Sequence, residues 1–235
     1  MRCMVSSPQQ IDKGAAPNIL IRADGSGLIG LGHLVRALVL ARALSDLGAR
    51  VQVWGHSVEE AKKLAESLHP LTVRELPEPT GGSHQVGEIA RFQPDLVLVD
   101  GYHFVEDFFS ALERAGIAYG VIDDNGETRA FNPRVVINCS LGAGALGYDK
   151  LFPNSLLFLG ESYLILRKEL KDFVGIPPKQ GASVVVSLGG GGQSRLLRKV
   201  LFSIPQQFDQ VIVPHAATGL ANSLDAYAKS TQYSL

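Results

Sequence analysis

The feature that most constrains this chain is an alternation of two textures. Short aliphatic runs recur as "NILIRA" (18–23), "RVQVW" (50–54), "LTVREL" (71–76), "DLVLVD" (95–100), "IAYGVID" (117–123) and "RVVIN" (134–138). Most are unbroken apolar stretches, the pattern of parallel strands covered on both faces. Between them the pattern turns helical. Ala37, Leu40, Ala41, Leu44 and Leu47 recur at helical spacing, with Arg36, Arg42 and Asp46 on another side. "VEEAKKLAESL" and "VEDFFSALERAG" read as later helices, the second stopped by Gly116. Alternation of this kind predicts an α/β fold with a doubly wound sheet.

Composition narrows the class of function. With 46% hydrophobic and 19% charged residues the chain is globular rather than disordered. A net charge of -1 leaves no excess for the basic stripe of a general nucleic-acid binder. Cys3 and Cys139 lie far apart in no metal-ligand spacing, and read as a tail residue and a small buried hydrophobe. The opening residues hold no apolar signal-peptide core, and no apolar run approaches the ~20 residues of a membrane span. A cytoplasmic location is therefore expected.

The Pro/Gly-containing stretch "VGIPPKQGA" (174–182) marks a boundary between a first unit, 18–173, and a second, 183–235. The second unit repeats the strand–glycine–helix device: "SVVVSL" (183–188), four glycines, a helix from about Ser194 and the strand "QVIVP" (210–214). It is too short to match the first unit, so it is expected to be an incomplete domain, truncated or completed by another polypeptide.

Two glycine patterns overlap after the first strand. "GSGLIG" (25–30) matches the dinucleotide fingerprint, but a dinucleotide also needs an acidic residue at the end of the second strand. That strand ends in Trp54, Gly55 and His56, with no carboxylate before Glu59, so no redox cofactor is expected. A Walker loop is excluded because no Gly-Lys-Ser/Thr follows. "GLGH" (30–33) instead delivers a histidine to a helix start. There the backbone N–H groups and the helix dipole form a cradle for an anion or polar ligand, and they disfavour imidazolium. His33 is thus expected to be a neutral general base at the carboxyl edge of the sheet, beside Gly30 and Gly32.

Asp24 lies in the same loop, to orient His33 or a substrate hydroxyl, or to cap the loop. Asp100 and Tyr102 follow the fourth strand; the phenol can bond or stack on a sugar, or simply pack. Asp123 and Asp124 read as loop caps or a polar network rather than metal ligands, and no metal is expected. Gly189, Gly190, Gly191 and Gly192 would let a diphosphate approach the backbone, or form a flexible turn.

Taken in order, "IRADGSGLIGLGHLVRALVLARAL", "LVLVDGYHF", "VIDD", "LGAGALGYDKLFPNSLLFLGESYLILRKEL" and "VVVSLGGGG" resemble the UDP-2,4-diacetamido-2,4,6-trideoxy-β-L-altropyranose hydrolases of pseudaminic acid biosynthesis. These enzymes are similar to two-domain GT-B glycosyltransferases. The resemblance covers about residues 18 to 214, and its most specific parts are "GLGH..R" and "YLILRKEL". It implies a GT-B-like fold: a Rossmann-like N-terminal domain and an incomplete second α/β domain. It also implies metal-independent, inverting hydrolysis of a small-molecule UDP-sugar at the anomeric C–O bond, without a cofactor. His33 would be the catalytic base, Tyr102 would line the sugar site, and the glycines after residue 188 would hold the diphosphate. A glycosyltransferase for another acceptor and an inactive sugar-nucleotide-binding remnant are the alternative expectations. The family's later glycine/serine-rich loop, with its functional asparagine, has no counterpart before Leu235.

Overall fold

The computed structural model describes residues 15–25, 30–56, 71–76, 83–167, 183–186, 194–204 and 210–212. Strands β1 (Asn18–Ala23), β2 (Arg50–Gly55), β3 (Thr72–Glu75), β4 (Leu96–Asp100), β5 (Tyr119–Ile122), β6 (Val135–Asn138) and β7 (Leu156–Leu159) form one sheet. Its order is β3-β2-β1-β4-β5-β6-β7, with every pairing parallel. The chain thus builds outward from β1 in one direction, returns, and builds from β4 in the other. That reversal leaves a crevice at the carboxyl ends of β1 and β4, the ligand position of doubly wound sheets. The register pairs Ala23 with Asp100 there.

Helices α1 (Gly32–Asp46), α2 (Val86–Phe92), α3 (Glu106–Arg114) and α4 (Tyr148–Leu151) accompany this sheet. Alternate residues of a strand face opposite sides. Ile19, Ile21 and Ala23 of β1 accordingly pack with Leu34, Ala37, Leu38 and Ala41 of α1. Leu20, Val97, Val99 and Val121 meet Ile89, Phe104, Phe108 and Leu112 on the other side. Each buried Val, Leu, Ile or Phe side chain among them contributes about 1.5–3 kcal/mol. A second, two-stranded parallel sheet pairs β8 (Ser183–Val185) with β9 (Gln210–Ile212), and α5 (Ser194–Ser203) lies between them in sequence.

Several details differ from the sequence reading. β7 was not expected: as the sheet's last strand it alternates exposed with half-buried residues, and Leu156 stays largely in solvent. α2 is seven residues long and buries only Val86 and Ile89, too little to print a period. Leu47, assigned to the apolar face of α1, sits in the turn that ends the helix and is 84% exposed. Gly116 does stop α3: its φ is +70°, and the Ile117 N–H donates back to the Leu112 carbonyl at 3.0 Å. The helix expected at 58–68 and the connector 174–182 lie outside the described residues. Among the described residues no helix is long and apolar enough to cross a membrane.

Arg22 is the polar exception in this core. It lies on the α2 side of β1 with no exposed side-chain area, and pairs with the equally buried Asp24. Its Nη1 and Nη2 donate to the two Asp24 oxygens at 2.5 and 3.1 Å, and its Nε donates to Gln85 Oε1 at 3.0 Å. Its charge also lies 5.0 Å from the centre of the Phe104 ring. Asp24 accepts the His56 N–H at 2.6 Å and lies 2.5 Å from His103 Nε2. Burial pushes the Asp24 carboxyl up, but His103, the Arg22 bonds and charge, and the His56 amide outweigh it and hold the group at about 2.

Two predictions follow from this packing. A Cβ at Gly120 would come within 2.9 Å of Val135 Cβ and 3.0 Å of the Val135 carbonyl oxygen. Gly120→Ala should therefore lower the urea-unfolding free energy by about 1–3 kcal/mol, as overpacking does. Asp24→Asn should cost about 3–5 kcal/mol at pH 7 because it strands the Arg22 charge. The folded-state value of Asp24 is depressed, so its contribution is complete above the ordinary carboxylate range and fades as pH falls towards about 2. The gap between parent and variant, read by chemical denaturation, should close over that interval.

Candidate active site

The site is assembled from the start of α1 and the ends of β4 and β5. Gly30 takes φ +85°, a left-handed turn that favours glycine, just before the helix begins at Gly32. His33 falls in the first helical turn and Arg36 one turn later. Residues three apart share a helix face. Both side chains reach across the sheet edge to Asp100, the last residue of β4, whose side chain is completely buried.

The contacts form a closed cluster. His33 Nδ1 is 2.7 Å from Asp100 Oδ1. Arg36 donates from Nε to Asp100 Oδ2 at 2.8 Å and from Nη2 to Oδ1 at 2.6 Å. The same guanidinium donates to both oxygens of Asp124, at 2.6 and 3.1 Å. Tyr102 Oη donates to Asp124 Oδ2 at 2.8 Å, and its ring meets His33 edge-on at 4.9 Å.

This geometry assigns the histidine tautomer. Nδ1 lies 2.7 Å from a carboxylate that can only accept and 3.3 Å from an Arg36 nitrogen that can only donate. The shorter, better acceptor wins, so in the neutral ring Nδ1 carries the hydrogen and Nε2 the lone pair. The His33 side chain is 11% exposed.

Charge is held firmly around it. Burial works against the Arg36 charge, but bonds to Asp100 and Asp124 more than restore it and raise the guanidinium above its ordinary value. Burial likewise pushes Asp124 up, while the Arg36 bonds and charge carry it below the usual carboxylate range. The Tyr102 phenol is pushed up to about 12 by burial and by its bond to Asp124, so it serves as a donor.

The expected residues are distributed unevenly. His33, Asp100 and Tyr102 come together, and Gly30 and Gly32 form the turn beneath them. Asp24 does not orient His33. Its carboxylate is fully buried and occupied by Arg22, His103 and the His56 amide, so it braces the loop from below. Asp123 accepts from Tyr148 Oη at 2.8 Å and from the Asn125 N–H at 3.2 Å, a loop-capping role. Cys139 is half-buried and donates to the Tyr163 carbonyl oxygen at 2.9 Å. Gly189, Gly190, Gly191 and Gly192 lie outside the described residues. Among the described residues, no group of three or more His, Cys, Asp or Glu side chains is arranged to hold a metal ion.

Arg36 and Asp124 were not expected as partners of His33: Arg36 entered only as the last residue of "GLGH..R", and Asp124 as a loop cap or polar-network residue, the latter being the role it takes. Arg36 had a signal, its spacing of three from His33, but it also looked like the solvated side of an amphipathic helix. Asp124 gained its place only through the sheet order, which sets β5 beside β4.

A cavity of about 490 Å³ adjoins the cluster, with Tyr102 in its wall. Val99, Val121, Phe104 and Phe109 give it an apolar lining, while Glu127, Thr128 and Arg129 add polar groups. Neither His33 nor Arg36 lines it.

No family model matches the chain. It is 26% identical over 193 residues to an uncharacterized protein of Methanocaldococcus jannaschii, covering 78% of this chain and 39% of that protein. It is 23% identical over 214 residues to the UDP-2,4-diacetamido-2,4,6-trideoxy-beta-L-altropyranose hydrolase of Campylobacter jejuni, covering 90% of this chain and 74% of the hydrolase. Among solved structures, UGT73P12 of Glycyrrhiza uralensis, complexed with glycyrrhetinic acid 3-O-monoglucuronide, superposes with a TM-score of 0.53 at 12% identity. That match covers 92% of this chain and 67% of UGT73P12. UGT89C1 of Arabidopsis thaliana, complexed with UDP-L-rhamnose, gives 0.50 at 13% identity, over 73% of this chain and 58% of UGT89C1. The chain thus spans well under half of the Methanocaldococcus relative and somewhat over half of UGT89C1. Strand order, crevice and superposition agree on one conclusion: this is a Rossmann-like α/β unit of the GT-B type.

Proposed function

We propose that the His33 cluster is the base-bearing side of a nucleotide-sugar site. His33 Nε2 takes the proton from an oxygen nucleophile as that oxygen attacks the anomeric carbon of a UDP-linked sugar. The new C–O bond forms as the bond to the diphosphate breaks, and UDP leaves from the opposite face with inversion. The observation that carries this reading is the His33–Asp100 contact at 2.7 Å, which leaves Nε2 as the proton acceptor. Asp100 then stabilises the imidazolium as it forms, as the carboxylate does in other histidine-based sites.

The remaining parts have assigned roles. Tyr102 lines the sugar side, the backbone of Gly30 and Gly32 borders it, and the diphosphate is assigned to Gly189 to Gly192 of the second unit, 183–235. UDP is a good leaving group, so positioning and N–H donors meet the chemical demand without a metal in this reading. The free Cys139 thiol fits a reducing, cytoplasmic setting.

The acceptor separates two versions. Transfer to an organic acceptor is supported by the cavity beside Tyr102, whose mixed apolar and polar lining leaves room for a second organic molecule. It is also supported by fold relatives solved with a UDP-sugar and with a glycoside. Hydrolysis, with water as acceptor, is supported by the Campylobacter relative, which aligns over 90% of this chain. Transfer is the first reading.

The experiment incubates the protein with UDP-L-rhamnose or the UDP-linked 2,4-diacetamido sugar, with and without alcohol acceptors. UDP release and new glycosides are followed by mass spectrometry. Acceptor-dependent glycoside formation supports transfer; free sugar in equal yield with and without acceptor supports hydrolysis. In either case His33→Ala should lower kcat/KM by about 10²- to 10⁴-fold, the usual contribution of a general base. Turnover unchanged in that variant would remove His33 from the mechanism.

A further inference from the structure

We propose that Arg36 is a positioning residue that sets the pH range in which His33 can accept a proton, by cancelling the carboxylate charge gathered around the ring. The proposal rests on the reading of His33 as the base, but its test does not require turnover. A histidine facing one buried carboxylate has its charged form stabilised, and a second carboxylate nearby adds to that. Such a ring is kept protonated to higher pH and is a poorer base near neutrality. This site has two carboxylates, Asp100 in contact with the ring and Asp124 beside it.

Arg36 is placed to counter both. Its planar fork spends two donors on Asp100 and two on Asp124, with all four bonds between 2.6 and 3.1 Å. Its Nη2 also stands 3.3 Å from His33 Nδ1, so a positive charge faces the ring directly. Lysine could supply the charge but not the four-bond fork. The groups facing His33 are thus Arg36 on its own helix, Asp100 from the end of β4, Tyr102 from the following loop and Asp124 from the end of β5. Cys139, after β6, is close enough to feel Arg36, Asp124 and Asp100, and burial raises its thiol. That thiol and the Tyr102 phenol stay neutral near pH 7, so the charge balance is two carboxylates against one guanidinium.

The same fork fixes geometry. Asp100 can meet His33 through Oδ1 only while its carboxylate plane is held, and the bidentate Arg36 bonds hold it. One side chain therefore orients the carboxylate and limits its pull on the proton.

The test follows the ring of His33 by NMR in the full chain carrying ¹³C-labelled histidine, with the signal assigned by its loss in His33→Gln. In Arg36→Gln the titration midpoint of His33 should move to higher pH by about one unit, the scale of one nearby charge. Arg36→Lys should restore most of the parent midpoint, and Asp124→Asn should move it to lower pH. An unchanged or lowered midpoint in a folded Arg36→Gln protein, judged by circular dichroism, overturns the proposal. Should Arg36→Gln fail to fold, Asp124→Asn decides: a midpoint that stays or rises overturns it. With an active UDP-sugar, the acid limb of kcat/KM should shift in the same directions. Midpoints that move as stated in a protein that turns over no UDP-sugar would sink the functional reading and leave the role of Arg36 standing.

Discussion

The buried carboxylate of Asp100 is the contact on which the site depends. It ends the central strand β4 at the point where the sheet reverses direction, and no part of its side chain reaches water. A lone carboxylate there would be too costly to keep ionised. It persists because α1 brings both a histidine and an arginine onto it, so the same bonds that satisfy the charge also dock the helix start against the sheet. The Arg36 bonds to Asp124 extend the tie to β5. Fold and site therefore share one set of interactions, and neither can be loosened without disturbing the other.

A second ionic cluster lies under the opposite face of the same sheet edge. Arg22 and Asp24 are both fully buried, and the pair reaches Gln85 near α2, the His56 amide and His103. Its effect on the site is indirect. His103 directly follows Tyr102 in the chain, and Phe104 beyond it is buried in the core. Tyr102 is thereby presented between a residue held at Asp24 and a residue locked in the apolar layer. Gly101 makes the approach feasible, because a Cβ there would lie 2.8 Å from the His103 ring at a φ of +151°.

Much of the architecture was legible because parallel strands buried on both faces print themselves as aliphatic runs. The inner strands read out this way; of the two edge strands, β3 was expected and β7, which alternates exposed with half-buried residues, was not. His33 was legible for a local reason: a glycine turn feeding a helix announces its own position. The meeting of Arg36 with Asp124 was hidden because it depends on strand order, which no local pattern encodes. Asp24 left orienting and capping both open for the same reason. A loop aspartate beside a glycine motif looks available, and only the neighbouring Arg22, fully buried on β1, shows that its charge is already taken.

The spacing of His33 and Arg36 has a mechanical consequence. Both ride on one rigid helix, three positions apart, while their common partner Asp100 belongs to the sheet. Small rocking of the helix therefore carries the proton acceptor and its counter-cation as a single body.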